Sequence, residues 1–163
     1  SVRIRTESAH DARGRNNMDM QGKIDIITRL DLAINRLDGA YYVWARSHRL
    51  KENMLTLLYA LDDGTPHTQK QICEDWLMPK TTVNTLVKEL TEKGYAVLEN
   101  APGKEKYVSL TETGSAYAKE ALAKLYSAEI DAVDSVLADF SPDFVDAIER
   151  YADILCGKLK TRN

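Results

Sequence analysis

One short segment carries polar side chains three and four residues apart, a spacing that gathers them on one face of an α-helix. That face consists of Thr81, Asn84, Thr85 and Lys88. Hydroxyl, amide and ammonium groups can reach base edges and phosphates in a DNA major groove, and a helix N-terminus also favours phosphate. The segment is therefore predicted to contact DNA, with a merely solvated helix face as the alternative. The predicted contacts on this helix are Lys80, Thr81, Thr82, Asn84, Thr85 and Lys88.

The other side of the same segment is apolar and predicts a core shared with a short preceding helix. Its apolar positions recur three and four residues apart, as in a buried helix face. They are Val83, Leu86, Val87 and Leu90. Thr68 and Gln71 are spaced as a capping box at the start of the preceding helix, in which Cys73 and Trp76 are expected to face inward. Two helices around one small core predict a helix-turn-helix, with Leu77 at the position where the turn usually has glycine.

A basic hairpin is predicted directly after the helix-turn-helix. Strand-like segments at residues 95–99 and 106–110 flank a turn-rich stretch, residues 100–105. Lys104 and Lys106 lie at this tip. A two-stranded basic wing can contact phosphates or the minor groove beside a recognition helix, so both lysines are predicted DNA contacts.

Long amphipathic helices are predicted on both sides of this middle segment. Residues 24–46 carry an apolar stripe, and further helices are expected after Thr111 and after Pro142. A small winged-helix core cannot cover these stripes, so two subunits are expected to pair. The predicted fold is mainly α with a small β-hairpin wing, a winged helix-turn-helix with long terminal dimerisation helices. Its divisions are 1–20, a disordered arm or cloning remnant; 21–50, the N-terminal dimerisation helix; 51–110, the DNA-binding domain; and 111–163, the C-terminal dimerisation helices.

Composition and charge narrow the functional classes. The sequence has neither an apolar run of membrane-spanning length nor a secretory signal, so the protein is expected in the cytoplasm. The net charge is −3, and residues 64–110 carry six lysines against six acids, so the prediction of DNA binding depends on where the lysines lie. Cys73 and Cys156 are too few for a disulfide framework and are predicted to be reduced and buried.

Signatures of catalysis are missing from the sequence. It contains no Ser/His/Asp order, no phosphate-cradling glycine loop and no metal-ligand motif. His10, His48 and His67 are scattered and do not make a coordination set. The chain is therefore not expected to be an enzyme, to hold a metal ion or to need a cofactor.

The residues that end the recognition helix and the wing resemble a known family. Segment 90–95 reads Leu-Thr-Glu-Lys-Gly-Tyr and segment 108–114 reads Val-Ser-Leu-Thr-Glu-Thr-Gly. Both are similar to the MarR (multiple antibiotic resistance regulator) family, and the resemblance extends from about Ile24 to the C-terminus. It implies a homodimer that binds double-stranded DNA at a pseudo-palindromic operator, acts as a repressor and is released by a small aromatic effector.

The wing departs from the family pattern at two positions. The family's aspartate and arginine fall on Pro102 and Lys104, and lysine lacks the bidentate fork of arginine. The resemblance carries a phosphate or minor-groove role to Lys104, with a weaker sequence preference. The rival interpretation, favoured by this departure and by the even charge, is a winged-helix module that binds protein instead of DNA.

Aromatic residues are candidates for the effector contacts that the resemblance implies. A pocket between the dimerisation helices and the DNA-binding lobe would be lined by Tyr41, Tyr42, Trp44, His48 and Tyr59. Core packing explains these side chains at least as well, because aromatic residues on helical stripes usually serve packing. The two interpretations stay open at the level of the sequence.

Overall fold

The computed structural model of the protein describes residues 18–160, so residues 1–17 of the predicted arm 1–20 lie outside the described residues. Helices dominate, in confirmation of the predicted fold class. They are α1 (Met20–Ser47), α2 (Glu52–Leu61), α3 (Gln69–Asp75), α4 (Lys80–Glu92), α5 (Glu112–Leu137) and α6 (Asp143–Lys160). Three short strands complete the fold: β1 (His67–Thr68), β2 (Ala96–Asn100) and β3 (Lys106–Leu110).

The chain divides into two compact units within α2, the first ending at Leu57 and the second beginning at Leu58. In the first unit, α1 begins after Asp19, whose carboxylate accepts a 2.8 Å hydrogen bond from the backbone N–H of Gly22. Ala45 is the one buried residue of α1, and most of its large apolar side chains are exposed. The predicted divisions at residues 50 and 110 stay predictions.

The second unit contains the predicted helix-turn-helix, and its helix starts follow the sequence signals. The Thr68 hydroxyl accepts from the Gln71 backbone N–H at 3.1 Å, while the Gln71 side chain accepts from the Thr68 N–H at 2.7 Å. This reciprocal pair confirms the predicted capping box at the start of α3. The predicted apolar face of α4 is also confirmed, because all four of its residues are buried: Val83, Leu86, Val87 and Leu90.

A three-stranded antiparallel sheet has β3 at its centre, between β1 and β2. The β2–β3 hairpin pairs Ala96 with Leu110 and Asn100 with Lys106, which confirms the predicted wing. β1 pairs with β3 through His67 and Val108 and through Thr68 and Tyr107. Two residues are too few to show the apolar alternation of a strand, so only the tertiary pairing with β3 defines β1.

The N-terminus of α5 rests directly on the backbone that joins α4 to β2. The Thr111 N–H donates to the Tyr95 carbonyl oxygen at 3.0 Å, and the Thr111 hydroxyl donates to the Gly94 carbonyl oxygen at 2.8 Å. The Thr111 hydroxyl also accepts from the Gly114 N–H at 3.0 Å as the helix cap. A Cβ atom at Gly114 would lie 1.8 Å from the Tyr95 carbonyl oxygen, so no side chain fits there.

We expect Gly114→Ala to destabilise the protein by about 3 kcal/mol, because the new methyl group would force α5 away from Tyr95. Urea denaturation followed by circular dichroism measures the change. The matched control is Gly39→Ala in α1, where a Cβ would meet no atom within 4 Å. That variant should gain about 0.5–1 kcal/mol from helix propensity, so equal losses in both variants would contradict the steric argument.

Three expectations about buried residues, for Cys73, Trp76 and Cys156, are wrong. Trp76 is 45% exposed and Cys73 is half-buried, because the seven-residue α3 buries only Ile72. Cys156 is exposed on α6. Both cysteines are free thiols as predicted, but the prediction that they are buried is wrong. Leu77 has a φ of 50° and is 86% exposed, so a leucine occupies a left-handed turn position that favours glycine.

Leu77→Gly should stabilise the protein by roughly 0.5–1 kcal/mol, because glycine adopts the left-handed conformation without a Cβ clash. Thermal unfolding of the two proteins gives the difference. Leu77→Ala is the control, since it also removes the exposed leucine side chain but keeps the Cβ atom. If alanine stabilised the protein as much as glycine, backbone strain would not be the cause.

Candidate nucleic-acid interface

The polar face of α4 is open to solvent along its length. Lys80, Thr81, Asn84, Thr85 and Lys88 are exposed, and Thr82 is half-buried. Pro79 occupies the N-cap position and makes no side-chain hydrogen bond to the first turn. The first backbone N–H groups of α4 are therefore not capped by a side chain, which suits a helix end that meets phosphate.

Hydrogen bonds within α4 change what this face can offer to DNA. The Thr85 hydroxyl donates to the Thr81 carbonyl oxygen at 2.9 Å, which leaves its oxygen as an acceptor and its methyl group as an apolar contact. Lys88 Nζ lies 3.7 Å from Glu92 Oε1. The free donors of α4 are therefore concentrated near its N-terminus, at Lys80 and Asn84.

The C-terminal end of α4 carries two carboxylates, and each of them is paired with a lysine four residues away. Lys93 Nζ donates to Glu89 Oε1 at 2.9 Å, and this bond raises the pKa of Lys93. Lys88 is likewise paired with Glu92. The spacing of four residues in each pair was a readable signal for these contacts. Both carboxylates lower the local positive charge, so the N-terminal half of α4 is the better place for phosphate.

The wing tip closes by contacts other than the aspartate–arginine pair of the family. The Ala101 N–H donates to the Glu105 carbonyl oxygen at 3.2 Å, and Gly103 has a φ of 81° within this turn. Lys106 Nζ donates to Asn100 Oδ1 at 2.5 Å across the β2–β3 pair. Lys104 is exposed and makes no ion pair among the described residues. The tip is thus held by one backbone hydrogen bond and by the Lys106–Asn100 side-chain contact, and Lys104 is left for an anion.

The structure brings three of the predicted DNA contacts into one cleft. Lys80, at the start of α4, lies on the same cleft as Lys104 and Lys106 of the wing. The cleft has a volume of about 350 Å³, and Lys70 of α3 also lines it. Sequence reasoning missed Lys70, although its place two residues after the helix cap Thr68 was a usable signal. The other predicted contacts on α4 do not line the cleft.

Four of the candidate effector residues lie in the first unit, three of them in α1 and the fourth, His48, at its C-cap. The rings of Trp44 and His48 stack with centroids 4.0 Å apart. The Tyr42 hydroxyl accepts a 2.9 Å hydrogen bond from Arg46, whose guanidinium also lies over the Tyr42 ring. Tyr41 is half-buried. These local contacts suit helix packing, and an effector role for these residues stays a prediction.

The fifth candidate, Tyr59, belongs to an aromatic cluster of the second unit. Its ring meets the Tyr126 ring edge-on, with centroids 5.2 Å apart, and its hydroxyl donates to Glu129 at 2.5 Å. The Tyr126 hydroxyl donates to Asp62 at 3.0 Å. Burial, followed by this hydrogen bond, raises the pKa of Tyr126 to about 12. Trp76 lies beside Tyr59 at 6.3 Å between centroids, which accounts for its partial burial.

The raised pKa of Tyr126 predicts a loss of stability in alkaline solution. The contribution of Tyr126 is fully present below its ordinary pKa of 10.0 and is lost as the pH rises towards about 12. Urea unfolding measured across this interval should show that loss in the wild type and a smaller one in Tyr126→Phe. Tyr42→Phe keeps the Tyr126–Asp62 contact and should match the wild type. Identical pH dependence in all three proteins would contradict the assignment.

Two kinds of feature are absent from residues 18–160. No helix in this range is long and apolar enough to cross a membrane. Within the same residues, no group of three or more histidine, cysteine, aspartate or glutamate side chains is arranged to hold a metal ion.

Known proteins share both the sequence of the middle segment and the fold. The MarR family profile matches residues 53–106, which span the helix-turn-helix and most of the wing. A MarR family regulator from Neisseria meningitidis is 27% identical, with a TM-score of 0.65 over 83% of this chain and 94% of its own. The chain has the winged-helix fold of MarR family regulators, and its middle segment matches the profile of that family.

Two structures of lower sequence identity share the fold of this chain. A MarR family transcriptional regulator from Silicibacter pomeroyi is 19% identical, with a TM-score of 0.63 over 79% of this chain and 93% of its own. Staphylococcus aureus MarR in complex with salicylate and kanamycin is 14% identical, with a TM-score of 0.59 over 88% and 96%. No curated protein sequence matches the chain. Members of the family are transcription regulators and not enzymes, in agreement with the sequence analysis.

Proposed function

We propose that this protein is a repressor that binds a pseudo-palindromic DNA operator as a homodimer. The observation that carries the proposal is the two-sided character of α4. One face supplies the core, and the other presents exposed polar residues from Lys80 to Lys88 beside a basic wing. A helix of this kind fits a major groove, and the wing then reaches the adjacent backbone.

Different residues of this surface would carry affinity and sequence preference. Lys80, Lys104 and Lys106 are exposed ammonium groups suited to phosphate, which every DNA sequence offers equally. Asn84 has a free amide that can make a bidentate contact with adenine. Thr85 keeps an acceptor oxygen and a methyl group, which suits a contact with a thymine methyl.

Pairing of two subunits would cover apolar side chains that each unit leaves in solvent. In the first unit, α1 exposes Ile27, Ile34 and Leu37. In the second unit, α6 has no buried residue, and Ile148 and Leu155 are at least 40% exposed. Exposed apolar stripes of this length are typical of subunit contacts. A two-fold dimer would present two recognition helices about 34 Å apart to successive major grooves.

A small aromatic effector would release the DNA by favouring a dimer whose recognition helices are differently spaced. The Staphylococcus aureus structure with salicylate supports this class of ligand for the present chain. The candidate contacts are Tyr41, Tyr42, Trp44, His48 and Tyr59. A cytoplasmic location is part of this proposal, because a repressor must reach chromosomal DNA.

Binding to duplex DNA from the protein's own upstream region tests the proposal. Fluorescence anisotropy at two salt concentrations should show tight binding that weakens steeply with salt, because each phosphate contact releases counterions. Lys104→Ala should weaken binding to all sequences alike and lower the logarithmic salt slope by about 1. Asn84→Ala should instead cost about 1–3 kcal/mol on the preferred sequence and little on random duplex.

Light scattering on the protein alone should give twice the mass of the 18.4 kDa chain. On the complex, it should give two chains for each bound duplex. Lys124→Ala, an exposed substitution on α5, is the control that should leave DNA affinity unchanged. Salt-insensitive binding, or none above random duplex, would refute the regulator and favour the protein-interaction module. The observation that favours this protein-interaction module is the balance of six lysines and six acidic residues within residues 64–110.

A further inference from the structure

Another cavity of the second unit lies where the end of α2 and the loop after it meet the end of β3 and the first turn of α5. Its volume is about 170 Å³, which gives room for several water-sized groups but is below the roughly 300–1,000 Å³ of pockets for drug-sized ligands. A ligand with a few non-hydrogen atoms therefore fits this cavity. Most of its lining residues are polar, and these are Asp62, Thr65, Ser109, Thr111, Glu112 and Ser115.

Negative charge prevails in this cavity. Asp62 and Glu112 are the two ionisable residues of its lining, and no described lysine, arginine or histidine lines it. Neither carboxylate makes an ion pair within residues 18–160. The cleft beside the wing has the opposite character, because four lysines line it. This second cavity therefore suits a cation.

The carboxylate of Asp62 has one oxygen atom without a partner. Its Oδ2 accepts a 3.0 Å hydrogen bond from the Tyr126 hydroxyl, whereas its Oδ1 is buried and receives no hydrogen bond within the described part of the chain. A buried acceptor without a donor is unfavourable, and more so when the group is charged. A positive charge in the cavity beside Asp62 would therefore lower the free energy of this carboxylate.

The next residue, Asp63, shows the contrast within one loop. Its carboxylate accepts hydrogen bonds from the backbone N–H and the hydroxyl of Thr65, both at 2.9 Å, and it lies 2.8 Å from His67 Nε2. Asp63 does not line the cavity. Of two adjacent aspartates, the one with fully satisfied oxygens thus faces elsewhere, and the one with an unpaired oxygen belongs to the cavity.

Hydroxyl groups and leucines complete the lining. The side chains of Ser109 and Ser115 make no hydrogen bond among residues 18–160, so both oxygens can accept one from a ligand. Leu61 and Leu110 supply apolar surface, which suits a short hydrocarbon chain. The lining therefore combines acceptors, negative charge and a small apolar wall.

We propose that this cavity binds a small primary ammonium ion, with Asp62 and Glu112 as its counter-charges. A primary ammonium group offers three N–H donors and one positive charge, and charge-assisted hydrogen bonds are about twice as strong as neutral ones. A metal ion suits the cavity less, because the described residues hold no group of three histidine, cysteine, aspartate or glutamate side chains that could bind one. The site shares no residue with the proposed effector contacts or DNA contacts, so the inference goes beyond the proposed function.

Ethylammonium chloride is the probe that tests the proposal on the full wild-type chain. Two-dimensional ¹H–¹⁵N NMR follows a titration in which sodium chloride keeps the ionic strength constant. Ligand efficiency limits the Kd of three non-hydrogen atoms to about 1 mM at best, so the expected Kd is on the order of 10 mM. Tetramethylammonium chloride is the control ligand. It has the same charge but no N–H donor, so it should bind about tenfold more weakly.

Three carboxylate variants locate the bound ion. Asp62→Asn and Glu112→Gln each remove one counter-charge and should weaken ethylammonium binding about tenfold. Glu112 is exposed, so Glu112→Gln tests the site even where Asp62→Asn disturbs the contact with Tyr126. Asp63→Asn is the matched control, because it removes the adjacent negative charge outside the cavity and should bind like the wild type.

Saturable shifts of the Ser109 and Ser115 amides, a preference for ethylammonium over tetramethylammonium, and a loss in Asp62→Asn or Glu112→Gln that Asp63→Asn does not share would support the site. Equal binding of the two cations, or equal binding by all three variants, overturns it. So does the absence of saturable shifts at the cavity up to about 100 mM, ten times the expected Kd. No DNA is present in these titrations, so their failure leaves the proposed regulator untouched.

Discussion

The contact between the first turn of α5 and the backbone at Tyr95 holds the second unit together. Thr111 makes hydrogen bonds to the carbonyl oxygens of Gly94 and Tyr95, and Gly114 lies so close that the Tyr95 carbonyl oxygen occupies the place of its Cβ. The Tyr95 and Tyr117 rings stack on one side of this joint, with centroids 4.6 Å apart. Because α4 ends just before Tyr95 and β2 begins just after it, one joint directs the recognition helix, the wing and the long helix.

The wing depends on this joint for its position beside α4. Hydrogen bonds from Thr111 to Gly94 and Tyr95 clamp the two ends of the β2–β3 hairpin, because Thr111 directly follows β3. The wing tip is closed separately, by the Lys106–Asn100 hydrogen bond. A basic tip held in this way keeps Lys104 and Lys106 on the same cleft as the first residue of α4. Local placement of lysines thus gives a binding surface to a chain whose net charge is −3.

α4 could be predicted from the sequence because its apolar residues recur three and four positions apart, which is the period of a helix and not of a strand. The buried Val83 and Leu90 and the exposed Asn84 and Thr85 follow directly from that period. Exposure in α3 was not predictable in this way. Trp76 has the side chain of a core residue, but a seven-residue helix offers too little buried surface to enclose it.

The sequence by itself determined the local structure: where helices begin, which face of α4 is apolar, and that a hairpin follows α4. These depend on contacts between residues a few positions apart, such as the Thr68–Gln71 capping box, and so are readable from spacing. Only the tertiary structure decided that Lys70 joins the wing lysines and that β1 pairs with β3. Those contacts join residues about 35 or more positions apart, and their geometry depends on packing that no local pattern encodes.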